Sequence, residues 1–223
     1  MKLALDSSQN SGSIALWDSG RVVYSAYFSI SVTHSETLMP QVDAAMRVCG
    51  RSPSDLTAVL LTIGPGSFTG LRIGLATAKG IAFGLQIPLQ TFSTLQLAAL
   101  ERYHCGRNIL VVMDARMKEV YAALYDEQLR ELRPPQVCVP EDVCGWGLED
   151  CYLTGSCASL VRPLLEQRNI SVIPVPETPL QAAGLFTLAE MFPQPEIYDF
   201  QSLAELEPEY LRESTAQVRK RQT

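Results

Sequence analysis

Short apolar blocks separated by polar turns open the chain. Leu3 to Asp6 and Ser13 to Asp18 predict two strands of a hairpin around a polar turn, and Arg21 to Ile30 a third strand. A helix follows from about Thr33 to Cys49. Leu38, Val42, Ala45, Met46 and Cys49 form its apolar stripe, Thr33 and Glu36 have capping-box spacing, and Gly50 supplies a stop. Pro40 kinks that helix or delays its start. An apolar strand at 58–63, a glycine-rich helix at 69–84, a short strand at 87–91 and a helix from Ser93 to His104 complete a βββαβα order.

The second half begins in the same way. Val111 to Asp114 and Tyr121 to Asp126 repeat the spacing of Leu3 to Asp6 and Ser13 to Asp18, which points to duplication. The second copy is then trimmed. A strand near Gln136 to Val139 is followed by only the short stretch Glu141 to Asp150 where a full helix stood before. Strands at Tyr152–Thr154 and Ser171–Val175 and helices near Ala158–Glu166 and Leu180–Met191 complete it. Residues 192–208, with Pro193, Pro195, Pro208 and several acids, read as a segment that follows the surface. The expected lobes are 1–105 and 106–223, the first for partner docking and the second reduced and tailed.

The junction from Thr62 to Gly80 joins a strand to a helix through a glycine turn, the layout of a phosphate cradle. Its spacing is wrong for the two common cradles. No Gly-x-x-x-x-Gly-Lys-Ser/Thr run occurs, and a dinucleotide fingerprint starting at Gly64 meets Thr69 at its third glycine, with no acid near residue 85 for a ribose. Gly66, Gly70 and Gly74 lie four apart and Ala78 continues the row, so one helix face is nearly bare. Each helical glycine costs roughly 1 kcal/mol relative to alanine, so close approach of another backbone must offset it. Spacing alone leaves two readings open: packing on the chain's own sheet, or docking of a second helix from outside.

Composition narrows the class. The 223 residues are 47% hydrophobic with a formal net charge of −6, which suits a compact soluble protein and disfavours an independent nucleic-acid binder. No apolar run approaches the roughly 18 residues of a membrane span, the N-terminus lacks a signal-peptide core, and cytoplasm is the expected location. Cys138, Cys144, Cys151 and Cys157 have no C-x2-C pair among them, and His34 and His104 stand far apart; buried free thiols fit better than zinc. The basic run Arg219 to Arg221 reads as a solvated tail.

Several blocks together carry a specific resemblance: Leu3 to Ser8, His34 to Leu38 with Pro40, Gly64 to Gly74 continuing through Pro88, Asp114 to Tyr121, and Pro208 to Arg212. On these the chain resembles the bacterial TsaB (YeaZ) family. The implied fold is α/β, with duplicated βββαβα lobes of the actin, hsp70 and sugar-kinase (ASKHA) superfold. The implied role is that of a noncatalytic subunit supporting TsaD, the catalytic relative that forms N6-threonylcarbamoyladenosine at position 37 of ANN-decoding tRNA. The small ATPase TsaE is implied in the same assembly, self-association is expected when the partner is absent, and tRNA is met only through the complex. The His-x-x-x-His that holds a metal in TsaD aligns, counting from Gly64, with Thr94 and Ala98, neither of which can replace an imidazole. His34 has Leu38 four residues on, so it forms no such pair either. No catalytic residue, metal or cofactor is therefore assigned.

Candidate partner-interface residues are Leu38, Val42, Ala45 and Met46 on the first helix and Gly70, Leu71, Arg72, Gly74, Leu75 and Ala78 on the glycine helix. Asp6, Ser7 and Ser8 are candidates for a weak nucleotide site, set against the simpler reading of a polar hairpin turn; Thr154 to Cys157 lacks the paired glycines of adenosine-binding kin. The competing class is an ATP-dependent kinase or ATPase of the same superfold using Asp6 and Asp114. A glycoprotease-like hydrolase has little residue support, since no serine can be placed beside a suitable histidine.

Overall fold

The computed structural model describes residues 1–29 and 34–211. The Thr33 half of the expected capping box, the His34 side chain, Arg212 and the basic run at 219–221 lie outside the described part.

Two compact units form, one from Met1–Glu101 with Thr178–Pro208, the other from Arg102–Glu177 with the chain from Glu209. The first contains β1 (Lys2–Asp6), β2 (Ser11–Asp18), β3 (Arg21–Ser29), α1 (His34–Val48), β4 (Ala58–Gly64), α2 (Phe68–Leu85), β5 (Leu89–Ser93) and α3 (Thr94–Ala99). Its sheet runs β3-β2-β1-β4-β5, antiparallel on the hairpin side and parallel from β1 onward. The second contains β6 (Ile109–Asp114), β7 (Val120–Tyr125), β8 (Glu131–Cys138), β9 (Cys151–Thr154), α4 (Ala158–Glu166) and β10 (Val172–Pro174). Its sheet, β10-β9-β6-β7-β8, repeats the same order and the same strand directions. The duplication read from two aspartate spacings is thus present in topology. The trimming is present too, because a short 3-10 turn at Pro140–Gly145 stands where α1 stands in the first unit.

The first core packs Leu38, Val42, Ala45 and Met46 of α1 with Leu75 and Ala78 of α2 against Leu3, Leu5, Ile14, Leu16, Val59 and Leu61 of the sheet. The second collects Leu110, Val112, Leu124, Val143, Leu153, Val161 and Leu165 with the buried Cys144 and Cys151. Desolvation pushes the Cys151 thiol up to about 11; burial, reinforced by Asp142 and Glu119, does the same to Cys138.

The boundary expected near 105 differs at one segment. Residues 178–208 belong with the first unit, because buried groups there fasten them. Ser13 Oγ donates to Leu180 O (3.1 Å) and accepts from Ala182 N (2.8 Å), and Phe186 of α5 (Gly184–Met191) meets the Trp17 ring at 5.4 Å. The acidic, proline-rich stretch also holds an unforeseen helix, α6 (Phe200–Glu205), capped by Asp199 accepting from Gln201 N and Ser202 N. Lys79 of α2 donates to Ala204 O (2.9 Å), and Phe83 meets Phe200 at 5.9 Å, so α6 lies along α2.

The glycine row resolves in favour of internal packing. A side chain added at Gly74 would stand 2.2 Å from Ser7 Oγ, and one at Gly66 2.3 Å from Ser8 O. At Gly80, by contrast, an added Cβ meets nothing within 4 Å. Gly74→Val should therefore cost about 1–3 kcal/mol by overpacking, whereas Gly80→Ala should add about 0.5–1 kcal/mol by relieving helical glycine. Urea unfolding checks both; equal effects would contradict this orientation of α2. For the thiols, only about one in a thousand is ionised at pH 8 when the pKa is near 11. Alkylation of native Cys138 and Cys151 should run about a hundredfold slower than of a free thiol at pH 8 and accelerate toward pH 11, while the exposed Cys105 reacts first. Site-resolved mass spectrometry reads this directly.

Candidate docking surface and the closed polar turn

The turn after β1 carries the strongest cluster of buried polar groups. Asp6, Ser7 and Ser8 are 1%, 1% and 0% exposed, and Thr62 beside them is 1% exposed. Asp6 Oδ1 accepts from Ser8 N (3.2 Å), Ser8 Oγ (2.7 Å) and Thr62 Oγ1 (2.5 Å). Ser7 Oγ donates to Gly70 O (2.9 Å), and Ser67 N donates to Ser8 O (2.7 Å). The glycine turn and the first turn of α2 are thus pressed onto the hairpin turn. A carboxylate surrounded by its own chain's donors is satisfied where it stands, since each such charge-assisted bond is stronger than a neutral one. In this arrangement Asp6, Ser7 and Ser8, the candidates for a nucleotide site, are bonded within the chain as the polar-turn reading expects. Their hydroxyls and carboxylate face the chain itself, and α2 fills the space before them.

Asp114, the corresponding aspartate of the second unit, is more open. Its Oδ1 accepts from Arg116 N (2.7 Å), the Arg116 guanidinium stands 3.3 Å from Oδ2, and Asp114 N donates to Ser156 Oγ (3.1 Å). Thr94 and Ala98 lie four apart along the chain, as the spacing required, with Thr94 fully buried and its hydroxyl without a hydrogen-bond partner. Among the described residues, no group of three or more His, Cys, Asp or Glu is arranged to hold a metal ion. Cys138, Cys144, Cys151 and Cys157 are free, and burial raises the pKa of Cys157 as it does those of Cys138 and Cys151.

The expected interface residues divide sharply. Leu38, Val42, Ala45, Met46, Gly70, Leu71, Gly74, Leu75 and Ala78 are all buried within the first unit, and only Arg72 is exposed. Nine of the ten thus pack inside the unit's own core. The opposite face of α2 presents Thr69, Arg72, Ala76, Gly80 and Phe83 to solvent. Ala76, Gly80 and Gly84 form a second row of small residues four apart, and both glycines look onto open space. Phe68 and Phe83 are large exposed apolar residues on this helix, and Arg72 lies 3.9 Å over the Phe68 ring. On α1, Met39 and Val48 are exposed, the latter at 74%, beside the Arg47–Asp43 ion pair. The signal for this second row was present in the sequence, in the same spacing. Only the packing of α2 distinguishes the inward row from the outward one.

No helix of the described residues is long and apolar enough to cross a membrane. The family described as TsaD, tRNA N6-adenosine threonylcarbamoyltransferase, matches residues 29–187. The TsaB proteins of Escherichia coli and Bacillus subtilis, both called tRNA threonylcarbamoyladenosine biosynthesis proteins, are 38% and 36% identical over 126 and 123 residues, 55% of this chain in each case. The chain spans about half the length of these curated relatives, 54% of each. Solved structures extend the likeness. YeaZ from Pseudomonas aeruginosa is 30% identical with a TM-score of 0.72, covering 85% of this chain and 90% of that one. A second structure, described as an uncharacterized protein with similarity to peptidase YeaZ from Pseudomonas aeruginosa, is 28% identical with a TM-score of 0.79, covering 95% and 99%. With two five-stranded sheets of the same order and these matches, the chain belongs to the TsaB (YeaZ) family.

Proposed function

We propose that this chain is a noncatalytic subunit in the formation of N6-threonylcarbamoyladenosine at position 37 of ANN-decoding tRNA. Its part is to dock a TsaD-type catalytic subunit on the outer face of α2 with the exposed edge of α1. One observation carries this reading: the inner glycine row is consumed by the fold while a second row, Ala76, Gly80 and Gly84, stands open between exposed aromatic residues. A bare helical strip lets a partner helix approach closely, and flanking rings supply apolar area once water is excluded. A related lobe with a similar α2 suits that strip, and so does a second copy of this chain when the partner is absent. TsaE joins the same assembly, and tRNA is met through it.

The competing reading, an ATP-dependent enzyme, finds its first-unit aspartate enclosed. Asp6 would have to exchange bonds from Ser8 and Thr62 for a metal or phosphate, and Ser7 its bond to Gly70. The absence of imidazoles at Thr94 and Ala98 supports the noncatalytic role on residue chemistry alone.

Calorimetry with a TsaD-type subunit should show Gly80→Leu weakening association by about tenfold or more, on the order of 1.4 kcal/mol, with circular dichroism unchanged. Unaltered affinity would remove the outer face of α2 from the interface. Titration of the isolated chain with ATP and magnesium should give no micromolar binding and no turnover; either result would favour the enzyme reading.

A further inference from the structure

Each sheet has two edges, and an unprotected edge pairs readily with another strand. Three of the four carry a visible obstacle. β8 contains Pro134 and Pro135, and β10 is three residues long and ends at Pro174. β3 opens on Arg21 and is shifted in register against β2 between Leu16 and Trp17. β5 has neither charge nor proline among Leu89, Gln90, Thr91, Phe92 and Ser93, and its one register shift, between Thr62 and Gly64 of β4, lies at its last residue, beyond Thr91.

Among the described residues, the Gln194 side chain bonds its outer backbone at Thr91. Thr91 N donates to Gln194 Oε1 (3.0 Å), and Gln194 Nε2 donates to Thr91 O (2.5 Å). A primary amide so placed offers the donor and acceptor that a strand residue would offer. In a parallel ladder the N–H and C=O of one residue face the same neighbour. Pro88 O accepts from Val59 N of β4, so alternation turns Gln90 and Phe92 toward β4 and Thr91 outward. The segment bearing Gln194 is held by two further contacts. Gln90 Nε2 donates to Gln194 O (3.3 Å), and Glu196 pairs with Lys2 (2.5 Å).

We propose that Gln194 is an edge guard, a side chain that occupies the hydrogen-bonding edge of β5 and keeps it from pairing with β5 of a second copy. The proposal is independent of docking through α2, because it concerns the opposite end of the sheet from the hairpin and a different set of bonds.

The test uses the full chain with Gln194→Ala and Gln194→Lys, followed by hydrogen exchange and light scattering at matched concentrations. In Q194A at low concentration, the Thr91 amide should exchange about tenfold faster or more while β1 and β4 keep their protection. At high concentration Q194A should associate beyond the wild-type level, with Thr91 protection returning as edges pair. Q194K also loses the amide, so Thr91 should exchange fast, but its charge at the edge should hold association at the wild-type level. Unchanged Thr91 exchange in Q194A, or association no greater than wild type, would overturn the proposal. Association of Q194K equal to that of Q194A would place the contact elsewhere and overturn it too. Faster exchange in every strand of Q194A would show a fold-holding role and likewise overturn it.

Discussion

The close approach of α2 to the β1–β2 turn is the constraint on which the first unit depends. Gly66 and Gly74 leave room for Ser8 O and Ser7 Oγ, and that proximity lets Ser7 bond Gly70 O and Ser67 bond Ser8 O. The same approach seals Asp6 among Ser8 and Thr62. That one packing arrangement has two structural consequences. It removes the aspartate from solvent, and it turns the remaining small residues of α2, Ala76, Gly80 and Gly84, to the outside.

The two sheets show how a shared topology accommodates different surroundings. Both run hairpin strands antiparallel to the central strand and later strands parallel to it. In the first unit α1 and α2 cover one face of the sheet. In the second, a 3-10 turn and α4 gather around the buried Cys144 and Cys151, and desolvation pushes the Cys151 thiol up because its charged form would be poorly solvated. The open aspartate, Asp114, belongs to this reduced unit, where Arg116 offsets its charge. Sequence similarity between the hairpins is thus compatible with opposite fates for their terminal aspartates.

Residues 178–208 complete the first unit from a distance in sequence. Ser13 holds Leu180 and Ala182, Gln194 pairs with Thr91, and Lys79 and Phe83 receive α6. None of these bonds is periodic, and none has a local sequence signature. A proline-rich acidic stretch looks like a surface segment from composition, and it does follow the surface, but its polar side chains fasten a sheet and its aromatic residue packs on a helix.

The sequence by itself determined the order of the strands and of helices α1 to α5, the duplication and the trimmed second lobe, because these follow from short-range patterns: alternation, a stripe at helical spacing, and glycine or proline stops. Helix α4 at Ala158–Glu166 and the strand at Ala58 were legible for that reason. Tertiary structure alone decided which of two equivalent glycine rows faced inward, that Asp6 is enclosed while Asp114 is open, and that 178–208 returns to the first unit. The physical reason is common to all three. A helix has rows of small residues on several faces, and only the contact partners brought in from distant segments, here Ser7, Ser8 and Ser13, select among them.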